Sequence, residues 1–110
     1  MSWTNLENKV VIITGGAAGI GLEVAKGFVE VGAKVMIADF AEDTGKQAVE
    51  EAGAEGSGEV DFVKCDVTKK SEVVSVVEHA VEKWGSVDVL VNNAGINIPR
   101  LLVDPTGKEE

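Results

Sequence analysis

The 110-residue sequence predicts an α/β fold built on a parallel sheet. Three observations carry that prediction. Short β-branched apolar runs alternate with segments of helical period along most of the chain, glycines stand at the junctions, and the intervening helical segments run to about a dozen residues, the length of crossover that parallel neighbours need. Such crossovers are nearly always right-handed, which limits the topologies available.

Each element has its own reason. Lys9–Thr14 (KVVIIT) is a strand whose unbroken apolar run suits burial on both faces, and Gly15-Gly16 stops it. From Gly19 to Val31 the residues Ile20, Val24, Phe28 and Val31 share one helical face, with Gly32 where a C-terminal glycine belongs. Ala33–Asp39 (AKVMIAD) is the second strand. Glu42–Ala52 is a helix with acids in its first turn, as the helix dipole favours, closed by Gly53. The stretch Gly53–Gly58 is glycine-rich and six residues long, a loop and not a domain linker. Val60–Cys65 is the third strand. Ser71–Trp84 is the clearest amphipathic helix, with Val73, Val77, Ala80, Val81 and Trp84 on one side and Glu72, Ser75, His79 and Glu82 opposite. Ser71 reads as its N-cap. Val87–Asn92 is the fourth strand, and beyond Pro99 the pattern decays into a tail over residues 99–110.

Composition excludes several classes of function. Lys and Arg number 10 against 19 Asp and Glu, a net charge of −9, which repels nucleic-acid phosphates and anionic lipid headgroups. One Cys and one His make neither a disulfide nor a structural zinc site, and fit a reducing cytoplasm. No secretory signal or membrane-length apolar run is present in the sequence. No nucleic acid, metal or membrane partner is expected. There is also no Tyr, so no step that relies on a tyrosine as acid or base can be completed by these residues.

The segment Thr14-Gly15-Gly-Ala-Ala-Gly19-Ile-Gly21 lies between a strand and a helix. Gly15 permits a tight exit from the strand, Gly19 a close approach of main chain to a diphosphate, and Gly21 close packing of helix on sheet. The diphosphate would rest on free amides at the helix N-terminus. A glycine-rich turn alone is as often merely a turn. Asp39, however, ends the second strand 18 residues after Gly21, near the separation of about 20 expected for the acid that binds an adenosine ribose. A carboxylate there would repel a 2′-phosphate, and no Lys or Arg lies within the turn or directly after Asp39, so NAD is favoured over NADP.

At this point the sequence resembles the short-chain dehydrogenases/reductases. Thr14-Gly-x-x-x-Gly-x-Gly21 matches that family's cofactor fingerprint, Cys65-Asp66-Val67 is similar to its strand-three Asp-Val pair, and Gly85-x-x-Asp88-x-Leu-Val leads into Asn92-Asn93-Ala94-Gly95 as the family's Asn-Asn-Ala-Gly motif requires. The resemblance implies a Rossmann-type parallel sheet in the order 3-2-1-4, truncated after strand 4, with residues 1–110 forming one partial dinucleotide-binding domain. It further implies that the amides around Ala18, Gly19 and Ile20 face the diphosphate, that Asp39 with Phe40 holds the adenosine ribose, and that Asp66 and Val67 flank the adenine. Asn93, Ala94 and Gly95 would lie against the second ribose and the way to the nicotinamide, while Asn92 holds the turn after strand four. S-adenosylmethionine methyltransferases also place an acid after strand two; the Asn-Asn-Ala-Gly motif argues against them.

Family members exchange hydride between a nicotinamide and an alcohol or carbonyl substrate, with an Asn-Ser-Tyr-Lys set handling the proton. By the family pattern those positions fall after Glu110, and no Tyr-x-x-x-Lys occurs here. The expectation is therefore a cofactor-binding portion whose substrate is engaged only if the missing half is present. A second class of reading is a non-catalytic NAD- or adenine-nucleotide-binding half-domain. A third is an interaction fragment, because an unpaired edge on Val87–Asn92 would recruit a second copy or a complementary fragment.

The remaining residues of interest have plainer readings. His79 is a solvated surface histidine, Cys65 a small apolar filler, and Trp84 a core residue. Thr14 supports the turn through its hydroxyl.

Overall fold

The computed structural model describes residues 6–93. Its elements follow in strict alternation: β1 (Val10–Thr14), α1 (Gly19–Glu30), β2 (Lys34–Asp39), α2 (Glu42–Gly53), β3 (Glu59–Lys64), α3 (Lys70–Trp84) and β4 (Val89–Asn92). The four strands form one sheet in the order β3-β2-β1-β4, and every neighbouring pair is parallel. Fold class and strand order are those the sequence predicts. The tail at 99–110, Ala94 and Gly95 lie outside the described residues.

The two central strands separate two cores. On one face Val11, Ile13, Val35 and Ile37 meet Ala25 and Val29 of α1 and Ala48 and Ala52 of α2. On the other Val10, Ile12, Met36 and Ala38 meet Val73, Val76 and Ala80 of α3. Alternate residues of a strand point to opposite faces, so an uninterrupted apolar run is what a strand sandwiched between helices demands. Register at the far strand is fixed by polar contacts: Asp88 donates its N–H to the Val10 carbonyl at 2.8 Å, and its carboxylate accepts the Val10 N–H at 2.9 Å. That exchange starts the β4 pairing one residue before the strand proper, and Val87 stands outside it.

Three details of the sequence reading are corrected. The buried stripe of α1 is Gly21, Ala25 and Val29, with Val24 and Phe28 only half-buried and Ile20 75% exposed. The helix sits so close to the sheet that small residues face inward and the larger apolar ones are displaced to its flank. In α3 the buried residues are Val73, Val76 and Ala80, whereas Val81 is exposed. The N-cap of α3 is Lys69, without a side-chain cap, and Ser71 lies inside the helix. Glu72, in the first turn of the helix, accepts the Asp66 N–H at 2.8 Å, a bond to the loop before the helix and not a cap on the helix's own N–H groups.

His79 is half-exposed, with its Nε2 3.7 Å from an Asp61 carboxylate oxygen that Lys83 also approaches at 3.4 Å. Trp84 packs against the α3-side core and donates its indole N–H to Glu59 at 3.1 Å. Among the described residues no helix is long and apolar enough to cross a membrane, and no group of His, Cys, Asp and Glu could hold a metal ion.

Candidate functional site

The site lies at the carboxyl ends of the strands, where β1 passes into the glycine turn and α1 begins. Gly15 leaves β1 with a φ of +68°. Its N–H bonds to the Ala38 carbonyl at 2.8 Å, so the exit from β1 is tied to the end of β2. Gly19 has a φ of +61° and nothing within 4 Å of where a Cβ would stand. It therefore presents bare main chain to open space. At Gly21 the situation is reversed: a Cβ would overlap the Gly15 carbonyl oxygen and come within 2.7 Å of Asn93 Nδ2 and 2.9 Å of the Gly16 Cα. Gly15, Gly19 and Gly21 are thus under three different local constraints, a left-handed exit from the strand, open space, and no room for a Cβ.

The first turn of α1 carries N–H groups that have no acceptor within the helix. Its N-cap, Ala18, has no side chain able to bond to them, and no acid lies in the first turn. Ala18, Gly19 and Ile20 are all exposed. An anion is what such a terminus accommodates, through donors and dipole together.

Beside this turn a cleft of about 160 Å³ is lined by Gly15, Ala38, Asp39, Phe40, Cys65, Asp66 and Val67. The four residues assigned from sequence to the adenosine, Asp39, Phe40, Asp66 and Val67, thus come together on one surface although they belong to two separate strand ends. Asp39 is half-buried and fully engaged. One carboxylate oxygen accepts the Ala17 N–H at 3.1 Å, and the other accepts the Ala41 N–H at 3.0 Å. The acid at the end of β2 is thereby bonded directly to the glycine turn. Ala17 carries no signal of this in its residue type, since it contributes only a backbone amide.

Asp66 is held by its neighbour. Thr68 donates both its hydroxyl, at 2.6 Å, and its N–H, at 3.0 Å, to Asp66 Oδ1. These bonds, the hydroxyl first, hold the Asp66 carboxyl below its ordinary pKa. Cys65, beneath the cleft, is 2% exposed, and burial with the nearby charges of Glu72 and Asp66 pushes its thiol up to about 11. It is a neutral apolar floor and not a nucleophile.

On the β4 side, Asn93 donates its side-chain N–H to the Gly15 carbonyl at 3.0 Å. The Thr14 hydroxyl lies 3.4 Å from both the Val91 carbonyl and Asn92 Oδ1. Both asparagines thus fasten the end of β4 to the glycine turn, Asn93 through a direct bond and Asn92 through Thr14. The family resemblance gives Asn92 the narrower task of holding the turn after strand four. Ala94 and Gly95, the rest of that motif, lie outside the described residues.

Comparison with known proteins decides the family. The family model described as short chain dehydrogenase matches residues 9–107. The chain belongs to the short-chain dehydrogenases. It is 46% identical over 96 residues to short-chain dehydrogenase reductase 3a of Arabidopsis thaliana, an alignment covering 87% of this chain and 36% of that protein. It is 45% identical over 94 residues to momilactone A synthase of Oryza sativa subsp. japonica, covering 86% and 33% respectively. Among solved structures, hydroxysteroid dehydrogenase from Escherichia coli superposes with a TM-score of 0.79 at 39% identity, over 86% of this chain and 38% of that one. The chain spans about a third of the length of these two curated relatives.

Proposed function

We propose that this chain forms the NAD-binding part of a short-chain oxidoreductase acting on an alcohol/carbonyl pair. The observation that carries the reading is the bond from the Ala17 N–H to Asp39, because it joins a glycine turn suited to a diphosphate and an acid suited to a ribose into one continuous surface. NAD would supply the hydride acceptor. The chain's own residues would bind and orient it: the amides of Ala18, Gly19 and Ile20 at the diphosphate, Asp39 and Phe40 at the adenosine ribose, Asp66 and Val67 at the adenine. Gly15 and Gly21 shape the turn, and Asn93, Ala94 and Gly95 would border the second ribose. The bare surface at Gly19 and the absence of an acid in the first turn of α1 support this fit. Proton handling at the substrate falls to residues other than these, as the sequence contains no Tyr.

A second reading is favoured by the sheet edge. Among the described residues β4 pairs only with β1, and its residues Val89, Leu90, Val91 and Asn92 carry no charge to discourage a further strand. Residues 1–110 would then act as a nucleotide-binding half-domain that pairs with a second copy or a complementary fragment through β4, without catalysis of its own. A single buried cysteine supports a cytoplasmic setting for either reading.

An NMR titration with NAD tests the first reading. Shifts are expected at Gly15–Gly21 and Asp39, weakened by Asp39→Ala; their absence at millimolar NAD would sink it. Sedimentation at high micromolar concentration tests the second, which a purely monomeric species would refute.

A further inference from the structure

We propose that Asp61 guards the free edge of β3, an autoinhibitory contact that denies this edge to a second copy of the chain. The inference is independent of the nucleotide-site reading and of how the β4 edge behaves.

β3 ends the sheet on the side away from β4, and among the described residues it pairs only with β2. Along a strand the N–H and C=O groups of successive residues point to alternate sides. The Glu59 N–H bonds to the Ala33 carbonyl at 3.1 Å and the Cys65 N–H to the Asp39 carbonyl at 2.9 Å, so the odd-numbered residues face β2. Val60, Phe62 and Lys64 therefore turn their backbone groups outward. The Phe62 N–H is the middle donor of that row, which an added strand would use to extend the sheet.

This donor is already taken. Asp61 Oδ1 accepts the Phe62 N–H at 2.8 Å. Its other oxygen lies 3.4 Å from Lys83 Nζ and 3.7 Å from His79 Nε2, both on α3, so the carboxylate is drawn between the helix and the sheet edge. These ion pairs are open to solvent, and their importance lies in where they hold the charge and not in their strength. An incoming strand would have to displace Asp61 from Phe62 and bring its own carbonyl oxygen against a negative charge. Charges set at a sheet edge turn further strands away in this manner. β3, reading EVDFVK, carries Glu59, Asp61 and Lys64, whereas β4, reading VLVN, carries no charge. Of the three charges, Asp61 alone bonds to an outward backbone group among the described residues.

Sedimentation velocity at high micromolar concentration, with amide hydrogen exchange resolved by residue, tests the inference on the 110-residue chain. The variants are Asp61→Val, Asp61→Ala, which removes the contact without adding a strand-favouring side chain, and Glu82→Val, an equal change of charge at an exposed position of α3. At low concentration the Phe62 amide should exchange faster in both Asp61 variants than in wild type, because its acceptor is gone. At high concentration both should self-associate at least about tenfold more tightly than wild type, with exchange at Val60, Phe62 and Lys64 slowing as they do. Glu82→Val should match wild type. The amides of β4 report on the other edge separately: slowing confined to them, in wild type and variants alike, would support pairing through β4 and overturn the guard at Asp61. Folded Asp61 variants that associate no more than wild type would overturn the inference, as would an equal gain in Glu82→Val, which would assign the effect to net charge.

Discussion

At the glycine turn the exposed surface is backbone, whereas in the cleft beside it, at the ends of β2 and β3, it is made of side chains. The turn excludes side chains for two opposite reasons: at Gly21 there is no room for a Cβ, and at Gly19 there is ample room that a ligand would use. The ends of β2 and β3 present instead Asp39, Phe40 and Asp66, each secured by a bond or a ring contact to a neighbour. The contrast teaches that damage in the first region is steric and abrupt, and damage in the second electrostatic and graded. The most disruptive test of that contrast is Gly21→Val. Its side chain must displace the Gly15 carbonyl and the Asn93 amide, moving α1 off the turn. A stability loss of about 3 kcal/mol, at the upper end of overpacking costs, is expected in urea unfolding. An unchanged midpoint would show that the turn is looser than its geometry.

Gly19→Ala separates binding from folding in the same loop. The left-handed φ costs about 1–2 kcal/mol for an alanine, but the new methyl meets no protein atom within 4 Å. A folded variant with modestly lowered stability and NAD binding weakened by more than about tenfold is the expected outcome. Unimpaired NAD binding by the folded variant would show that the open space over Gly19 is not where the diphosphate lies.

Asp39 probes the side-chain region. Replacement by Ala strands the Ala17 and Ala41 N–H groups that the carboxylate now accepts, at an expected cost of about 2 kcal/mol. Asn keeps one acceptor oxygen and should fall between Ala and wild type in both thermal stability and NAD affinity. Equal losses for Asn and Ala would mean that charge, not hydrogen-bond geometry, carries the effect, and would blur the graded character assigned to this end.

Much of this arrangement is legible in the sequence, and what is not has a physical cause. The alternation of strands and helices follows from the pattern of apolar runs, and the strand order and the clustering of Asp39 with Asp66 follow from the family resemblance that the motifs carry. The inward stripe of α1 does not follow, because hydrophobic periodicity ranks Ile20 and Phe28 above Gly21 and Ala25, while the tight helix–sheet spacing favours the small residues. Ala17 is invisible for a related reason: its contribution is an amide that every residue but proline possesses. Lys64 is placed beside Asp39 only by the register of β2 against β3, a relation between two segments that neither reveals alone.

The smallest effect expected is at Asp66, and it is best read through pH. Thr68 lowers the Asp66 carboxyl from its ordinary 3.8 mainly by donating its hydroxyl and secondly by its N–H. Folding therefore favours the ionised form. Stability from these bonds is fully present above the ordinary value and is lost as pH falls through the lower folded value. Thr68→Val removes the hydroxyl and leaves the N–H, so the carboxyl pKa should move back toward 3.8 without reaching it. Carbon-detected NMR titration of Asp66 measures that movement directly. Any stability difference between Thr68→Val and wild type that comes from this carboxylate should be full well above the ordinary value and shrink as pH falls through the lower folded value. A difference independent of pH would assign the Thr68 effect to packing. That outcome would place this corner of the cleft with the steric glycine turn instead of with the electrostatic region around Asp39.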